Sequence, residues 1–250
     1  VYAALGDYAK GLPRARRSLA LAEKALAPDD PALGDYVELL GEELDESGAH
    51  DEAEPLLERA LEVYTNASRF DPDRVADALH NLGARDALLG ATDKAIERFQ
   101  RSLALRVKAH GPDNLDLAQT QQALAVLYAG KGRPADTLIL EERAVDILQR
   151  HLGAMHPELI VPLGNIALAH LDQGDPRAAA GAYARALDIA ERHTTLVLPT
   201  GSEREKLAFL ATVSPLADSF VASVLRRYPR DPALARLGLL AVLRNKGRAL

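Results

Sequence analysis

The side chains that could do chemistry in these 250 residues are seven histidines and thirty-six carboxylates, and there is no cysteine. That removes disulfides, thiolate metal sites and a cysteine nucleophile from this stretch. His50, His80, His110, His151, His156, His170 and His193 are scattered singly, and no two stand three or four residues apart as a helical metal pair requires. His110, His151 and His193 fall at expected helix C-termini, where the dipole favours a cation. A phosphate-cradling glycine loop, a Ser/His/Asp arrangement and a basic–aromatic stripe for nucleic acid are all missing. No catalytic residue, metal or cofactor is therefore expected. What remains is recognition by charge. Residues 29–70 hold 13 acidic and two basic residues, and residues 197–250 hold four acidic and nine basic. Either this acidic arm and basic tail meet charged partners or each other, or the charge belongs to solvated helix faces.

The elements that must position these groups are helical. Ala, Leu, Arg, Glu and Asp dominate, aromatics make up 4%, and β-branched runs are few. No window approaches the ~18 apolar residues of a membrane span, and the opening carries no signal-peptide pattern. An all-α, cytoplasmic protein is expected. The sequence begins at Val1, without a start methionine, which suggests a piece of a longer chain.

A strict repeat organises the sequence. Gly6, Gly48, Gly90, Gly132 and Gly174 are 42 residues apart throughout. Eleven residues after each stands an arginine: Arg17, Arg59, Arg101, Arg143 and Arg185. A small residue follows (Ser18, Ala60, Ser102, Ala144, Ala186), and eight residues before the last four glycines lie Leu40, Leu82, Leu124 and Ile166. Small residues come next, at Gly41, Gly83, Ala125 and Ala167. Each unit thus reads as two apolar helices joined by a glycine turn, with a Pro/Asp-rich connector such as Pro28–Pro31 starting the next pair. Small residues let the two helices approach, and the Leu40 column fills the layer between units. Such a hairpin cannot bury its apolar face alone, so neighbours must stack.

First helices are expected from about Asp30, Pro72, Asn114 and Pro157, and second helices from about His50, Thr92, Pro134 and Asp175. Pro55 and Pro162 fall about a turn into their helices, where a missing N–H is mildly disruptive. The arginine column admits two readings, an anion ladder or a structural role with pairs such as Arg59–Glu62, Arg143–Asp146 and Arg185–Asp188, each worth ~0.3 kcal/mol. Asn66-Ala67-Ser68 is a glycosylation sequon by pattern alone. After the repeats, residues 194–200 form a connector and Ser202 with Glu205 reads as a capping box opening a helix through Val213. A second helix is expected from Pro215 to before Pro229, and a third from Asp231-Pro232 to Leu250.

The segment Gly48-Ala-His-Asp-Glu-Ala-Glu-Pro-Leu-Leu-Glu-Arg-Ala-Leu61 resembles tetratricopeptide repeats of the 42-residue kind found in kinesin light chains. Gly111-Pro-Asp-Asn-Leu-Asp-Leu-Ala118 is similar to that family's inter-repeat linker. The resemblance implies a right-handed superhelical solenoid of antiparallel helix pairs with a C-terminal helical extension. It divides the chain into a partial repeat at 1–29, four full units over 30–193 and an extension at 194–250. It also implies that first helices line a peptide-binding surface. By register that surface carries Asp35, Glu38, Leu39 and Glu42, then Asp77, His80 and Asn81, then Gln119, Gln122 and Ala123, and finally Asn165 and Leu168. Asn81 and Asn165 match an asparagine column that meets the ligand backbone in kinesin-light-chain-like repeats, while Leu39 and Ala123 depart from it. None of these positions is basic, so a carboxylate clamp of the chaperone-binding type is not expected. The expected partner is a protein or peptide, extended or basic, rather than nucleic acid or membrane.

The tail carries a second resemblance. Ser202-Glu-Arg-Glu-Lys-Leu-Ala-Phe209 and Leu243-Arg-Asn-Lys-Gly-Arg-Ala-Leu250 are similar to the helical linker that precedes a caspase-like CHAT domain in bacterial TPR-CHAT proteins. That resemblance implies a regulatory, partner-sensing arm; the alternative is a free-standing scaffold whose last helices cap the array.

Overall fold

The computed structural model describes residues 8–196 and 202–246. The expectations for Val1–Leu5, Gly6, residues 197–201 and residues 247–250 lie outside the described residues. The described residues form no strand. Their helices are α1 (Tyr8–Ala25), α2 (Pro31–Glu46), α3 (His50–Asn66), α4 (Pro72–Leu88), α5 (Thr92–His110), α6 (Asp116–Gly130), α7 (Pro134–Leu152), α8 (Ile160–Gln173), α9 (Pro176–Leu196), α10 (Glu203–Arg227) and α11 (Pro232–Lys246). No helix is long and apolar enough to cross a membrane among the described residues.

The chain divides into two compact units, Val1–Gly111 with α1–α5 and Pro112–Leu250 with α6–α11. In the first, α2 pairs with α3 and α4 with α5, while α1 packs on α2 and α3 on α4. In the second, α6 pairs with α7 and α8 with α9, and α7 packs on α8.

One hydrogen-bond pattern closes the four repeat hairpins α2/α3, α4/α5, α6/α7 and α8/α9. Gly48, Gly90, Gly132 and Gly174 have φ between +66° and +87°, a conformation a β-carbon disfavours. The next residue then donates its N–H to the carbonyl five residues back: Ala49 to Leu44, Ala91 to Asp86, Arg133 to Tyr128 and Asp175 to His170, at 2.8–2.9 Å. This Schellman geometry satisfies carbonyls that the helix end leaves free. The following helices start on polar caps. Asp30 accepts from Ala32 N–H at 2.9 Å, Asp71 from Asp73 N–H at 3.0 Å and Asn114 from Asp116 N–H at 2.7 Å. Before α8 the cap is His156, followed by a 3-10 turn over Pro157–Leu159. Starting the α-helix at Ile160 puts Pro162 in its first turn, where no N–H would have an intrahelical partner.

The small-residue column sits where helices approach most closely. A Cβ on Gly41 would stand 2.7 Å from Leu57 Cδ2, and one on Gly83 would stand 3.1 Å from Phe99. Leu40, Leu82, Leu124 and Ile166 are buried, as are Ala60, Ala125, Ala144, Ala167 and Ala186. Leu82 is 1% exposed in the core of the first unit. Leu82→Ala is expected to cost about 2–5 kcal/mol through lost burial and the cavity left behind. Urea unfolding measures it, and an unchanged midpoint would remove Leu82 from the packing layer.

Two expectations need correction. Arg59 turns away from Glu62 and donates to Glu23 Oε1 at 2.7 Å, 36 residues back, and Arg185 donates to Gln149 Oε1 at 2.5 Å over the same spacing. These two column arginines bolt one repeat to the previous one. Pro215 does not begin a new helix either: it lies inside α10, which runs unbroken for 25 residues. Val213, Ala217, Phe220 and Val224 form one buried stripe across it. Phe220 stacks on Tyr183 with ring centroids 3.7 Å apart, and α10 packs on α8 while α11 packs on α9. Burial of that stripe outweighs the lost backbone bond.

Candidate binding faces on the first helices

In the first unit the candidate residues lie on α2 and α4. Asp35, Leu39, Glu42, Asp77 and Asn81 are exposed, and Glu38 and His80 are half-buried. Sequence reasoning missed Tyr64 on α3, whose ring crosses Gly34 so closely that a Cβ there would lie 2.4 Å from it. The Tyr64 hydroxyl donates to Glu38 Oε2 at 2.8 Å and lies 3.0 Å from Asp35 Oδ1. Arg74 pairs with Asp35, and Arg106 with Asp77. His80 meets the edge of Phe99 at 5.2 Å; burial, with Arg106 adding to it, pushes its pKa down, which favours the neutral ring.

Charge is left over on this face. Burial pushes the Glu38 carboxyl up, against the Tyr64 hydrogen bond, and Asp35 and Asp77 raise it further. Burial also raises Glu42, helped by Glu38 and Glu46. Arg74 and Arg106 pair with Asp35 and Asp77, and Arg74 offsets only part of the rise of Glu38. A cation arriving from outside would relieve the crowding of Glu38 and Glu42.

Much of the acidity of residues 29–70 is answered within the first unit. Arg85 Nε donates to Asp45 Oδ1 at 2.8 Å, and Lys94 Nζ to Glu54 Oε1 at 2.6 Å, while Arg98 pairs with Glu58. Arg16 donates to Glu52 at 2.7 Å. Burial would raise Asp45, but its hydrogen bonds from His50 and Arg85 outweigh it and hold the carboxyl below its usual range. These partners sit 36–40 residues apart, one repeat along the stack.

In the second unit the candidates lie on α6 and α8. Gln119 and Gln122 line a pocket of about 250 Å³ with Asp116, Leu148 and Glu158. Asn165 and the half-buried Leu168 line another of about 130 Å³. Asn165 turns one amide N–H inward, donating to Glu141 Oε1 at 2.7 Å. Glu141, on α7, is 0% exposed, and burial, opposed by that one hydrogen bond, pushes its carboxyl up to about 8. Sequence reasoning passed over it. The signal was there: its counterparts at 42-residue spacing are Ala15, Leu57, Phe99 and Tyr183.

A tetratricopeptide-repeat model matches residues 1–66 and 74–150, and a second one matches residues 163–194. Among solved structures the chain is similar to BtubC (BKLC) from P. vanneervenii, at 19% identity and a TM-score of 0.73 over 97% of this chain and 91% of that one. A kinesin-light-chain candidate with nearly identical TPR-like repeats from Podosopora anserina gives 20% identity and a TM-score of 0.65 over 78% and 92%. The MamA protein gives 18% identity and a TM-score of 0.57 over 78% and 90%. At these identities the likeness is one of fold. No curated protein sequence matches the chain significantly.

Proposed function

This chain belongs to the tetratricopeptide-repeat family, and from that premise we propose that it is a non-catalytic scaffold whose first helices bind an extended protein or peptide segment carrying basic side chains. The observation that supports this most directly is the pair Glu38 and Glu42 on α2, both raised by burial and by neighbouring carboxylates. A lysine or arginine laid across them would gain two carboxylates that the protein itself leaves crowded.

The test begins with a pull-down from native extract. The affinity of the captured partner is then compared between the wild type and a Glu38→Lys/Glu42→Lys double variant. A loss of about tenfold or more is expected, shrinking as salt rises. Affinity should also fall on acidification before ordinary carboxylates titrate, because burial and neighbouring carboxylates raise the Glu38 and Glu42 carboxyls. An unchanged affinity on charge reversal overturns the acidic-face reading.

A second reading makes the chain the regulatory arm of a caspase-like TPR-CHAT protein. It is supported by the resemblance of Ser202–Phe209 and Leu243–Leu250 to that linker. The α10/α11 pair would then pass a binding event from the last repeat onward, through different partner affinities for two arrangements. A reading frame continuing past Leu250 into a His- and Cys-containing α/β domain supports it, and a stop codon there leaves the free-standing scaffold.

A further inference from the structure

Glu141 occupies a column that the fold fills with apolar or aromatic side chains elsewhere. Its counterparts Ala15, Leu57, Phe99 and Tyr183 are each at most 7% exposed. A carboxylate in such a place is costly unless it is neutral, paired or fully hydrogen-bonded. Around neutral pH Glu141 meets it by keeping its proton, but its hydrogen bonding is incomplete. Asn165 donates to Oε1, while Oε2 is buried and has no hydrogen-bond partner. The same side chain lines the pocket of about 130 Å³ between α6, α7 and α8, whose wall includes Ala125, Ala129 and Leu168 and whose other carboxylate is Asp172. A water molecule's share of the liquid is about 30 Å³, so the space suits a side chain rather than one solvent molecule.

We infer that this pocket binds the side chain of a lysine or arginine from a protein or peptide partner. Its aliphatic stem lies against Ala125, Ala129 and Leu168, and its cationic end reaches the free oxygen of Glu141. An aliphatic side chain would leave that oxygen unpaired. An acidic one would meet two carboxylates. The chain itself supplies a precedent at the pocket's rim, where Arg227 from α10 pairs with Asp172. The inference rests on the reading of the first helices as a partner-binding surface and names one anchor on it.

The test uses the whole chain with labelled methyl groups and a probe that needs no protein partner. n-Butylguanidinium and n-butylammonium are titrated while the methyl signals of Ala125, Ala129 and Leu168 are followed, with 1-butanol and butyrate as controls. Saturable shifts are expected for the cations, with binding at least about tenfold weaker for both controls. At pH 9, above the carboxyl's raised pKa of about 8, Glu141→Gln keeps the shape and removes the charge, and it should weaken cation binding by a similar factor. Leu168→Trp fills the pocket with Glu141 intact and should abolish binding even if the first variant folds poorly. Shifts that do not saturate, that match those of butanol, or that survive both substitutions overturn the pocket. That result leaves the scaffold reading standing, whereas failure to capture any partner overturns the scaffold and is read separately from the ion titration.

Discussion

Glu141→Gln is expected to make the protein more stable at pH 8.5 by about 3–5 kcal/mol, and to leave it nearly unchanged at pH 4. The Glu141 carboxyl titrates at about 8 in the folded protein and near 4.5 once unfolding returns it to water. Between those values the folded state holds a proton that the unfolded state has released. Stability therefore falls as pH rises, by about 1.4 kcal/mol per unit. The loss begins above 4.5, is complete near 8, and sums to roughly 5 kcal/mol. Below 4.5 both states are protonated and the contribution vanishes. Glutamine has no proton to lose and keeps a hydrogen-bonding group opposite Asn165. Urea titrations at several pH values should give curves for variant and wild type that meet in acid and separate steadily toward base. Parallel curves would mean that the buried carboxyl titrates like an exposed one. Burial and Asn165 alone set its pKa, with Asp172 and Arg227 at the pocket's rim as the neighbouring charges.

The helix ends were legible in the sequence because they are decided locally. Gly48 and Gly132 stop their helices through a backbone conformation that needs no distant partner, and Asp30 and Asn114 start theirs through bonds two residues long. The features that were missed depend on what another repeat brings alongside. Arg59 has Glu62 within one turn, yet its guanidinium reaches Glu23 on the preceding repeat. Pro215 is a helix breaker by local rule, and only the stripe from Val213 to Val224, packed on the repeat before it, explains why α10 continues. The candidate faces follow the same logic. The register put Asp35, Glu38 and Asn165 on first helices, but not that Tyr64 would tie up the two acids or that Asn165 would point an N–H inward. Glu141 differs, since comparing columns exposes a carboxylate among apolar residues. Reading only the residues shared between repeats passes over it.

Arg98→Ala is expected to cost about 3–5 kcal/mol, an effect as large as any core truncation in the first unit. Arg98 and Asp86 are 5% and 2% exposed, with Arg98 Nη1 2.8 Å from Asp86 Oδ2. Arg98 also donates to the Leu82 carbonyl at 3.3 Å and pairs with Glu58 on α3, so one guanidinium joins two repeats. Burial already pushes the Asp86 carboxyl up, and Arg98 is the foremost force holding it down, ahead of Lys94; Glu54 raises it and Arg85 adds a smaller pull down. Truncation leaves a buried carboxylate without its nearest cation, which is the costly way to break such a pair. Removing both charges is a different matter. Asp86→Leu/Arg98→Met replaces a desolvated pair with apolar side chains of similar size and should recover most of the loss. The pH dependence separates charge from packing. In Arg98→Ala the Asp86 carboxyl rises further, so the folded state takes up a proton before the unfolded one as pH falls, and the deficit should shrink in acid. A single and a double variant with equal deficits at every pH would show that Arg98 acts through its aliphatic stem, leaving the ion pair without weight in joining the repeats.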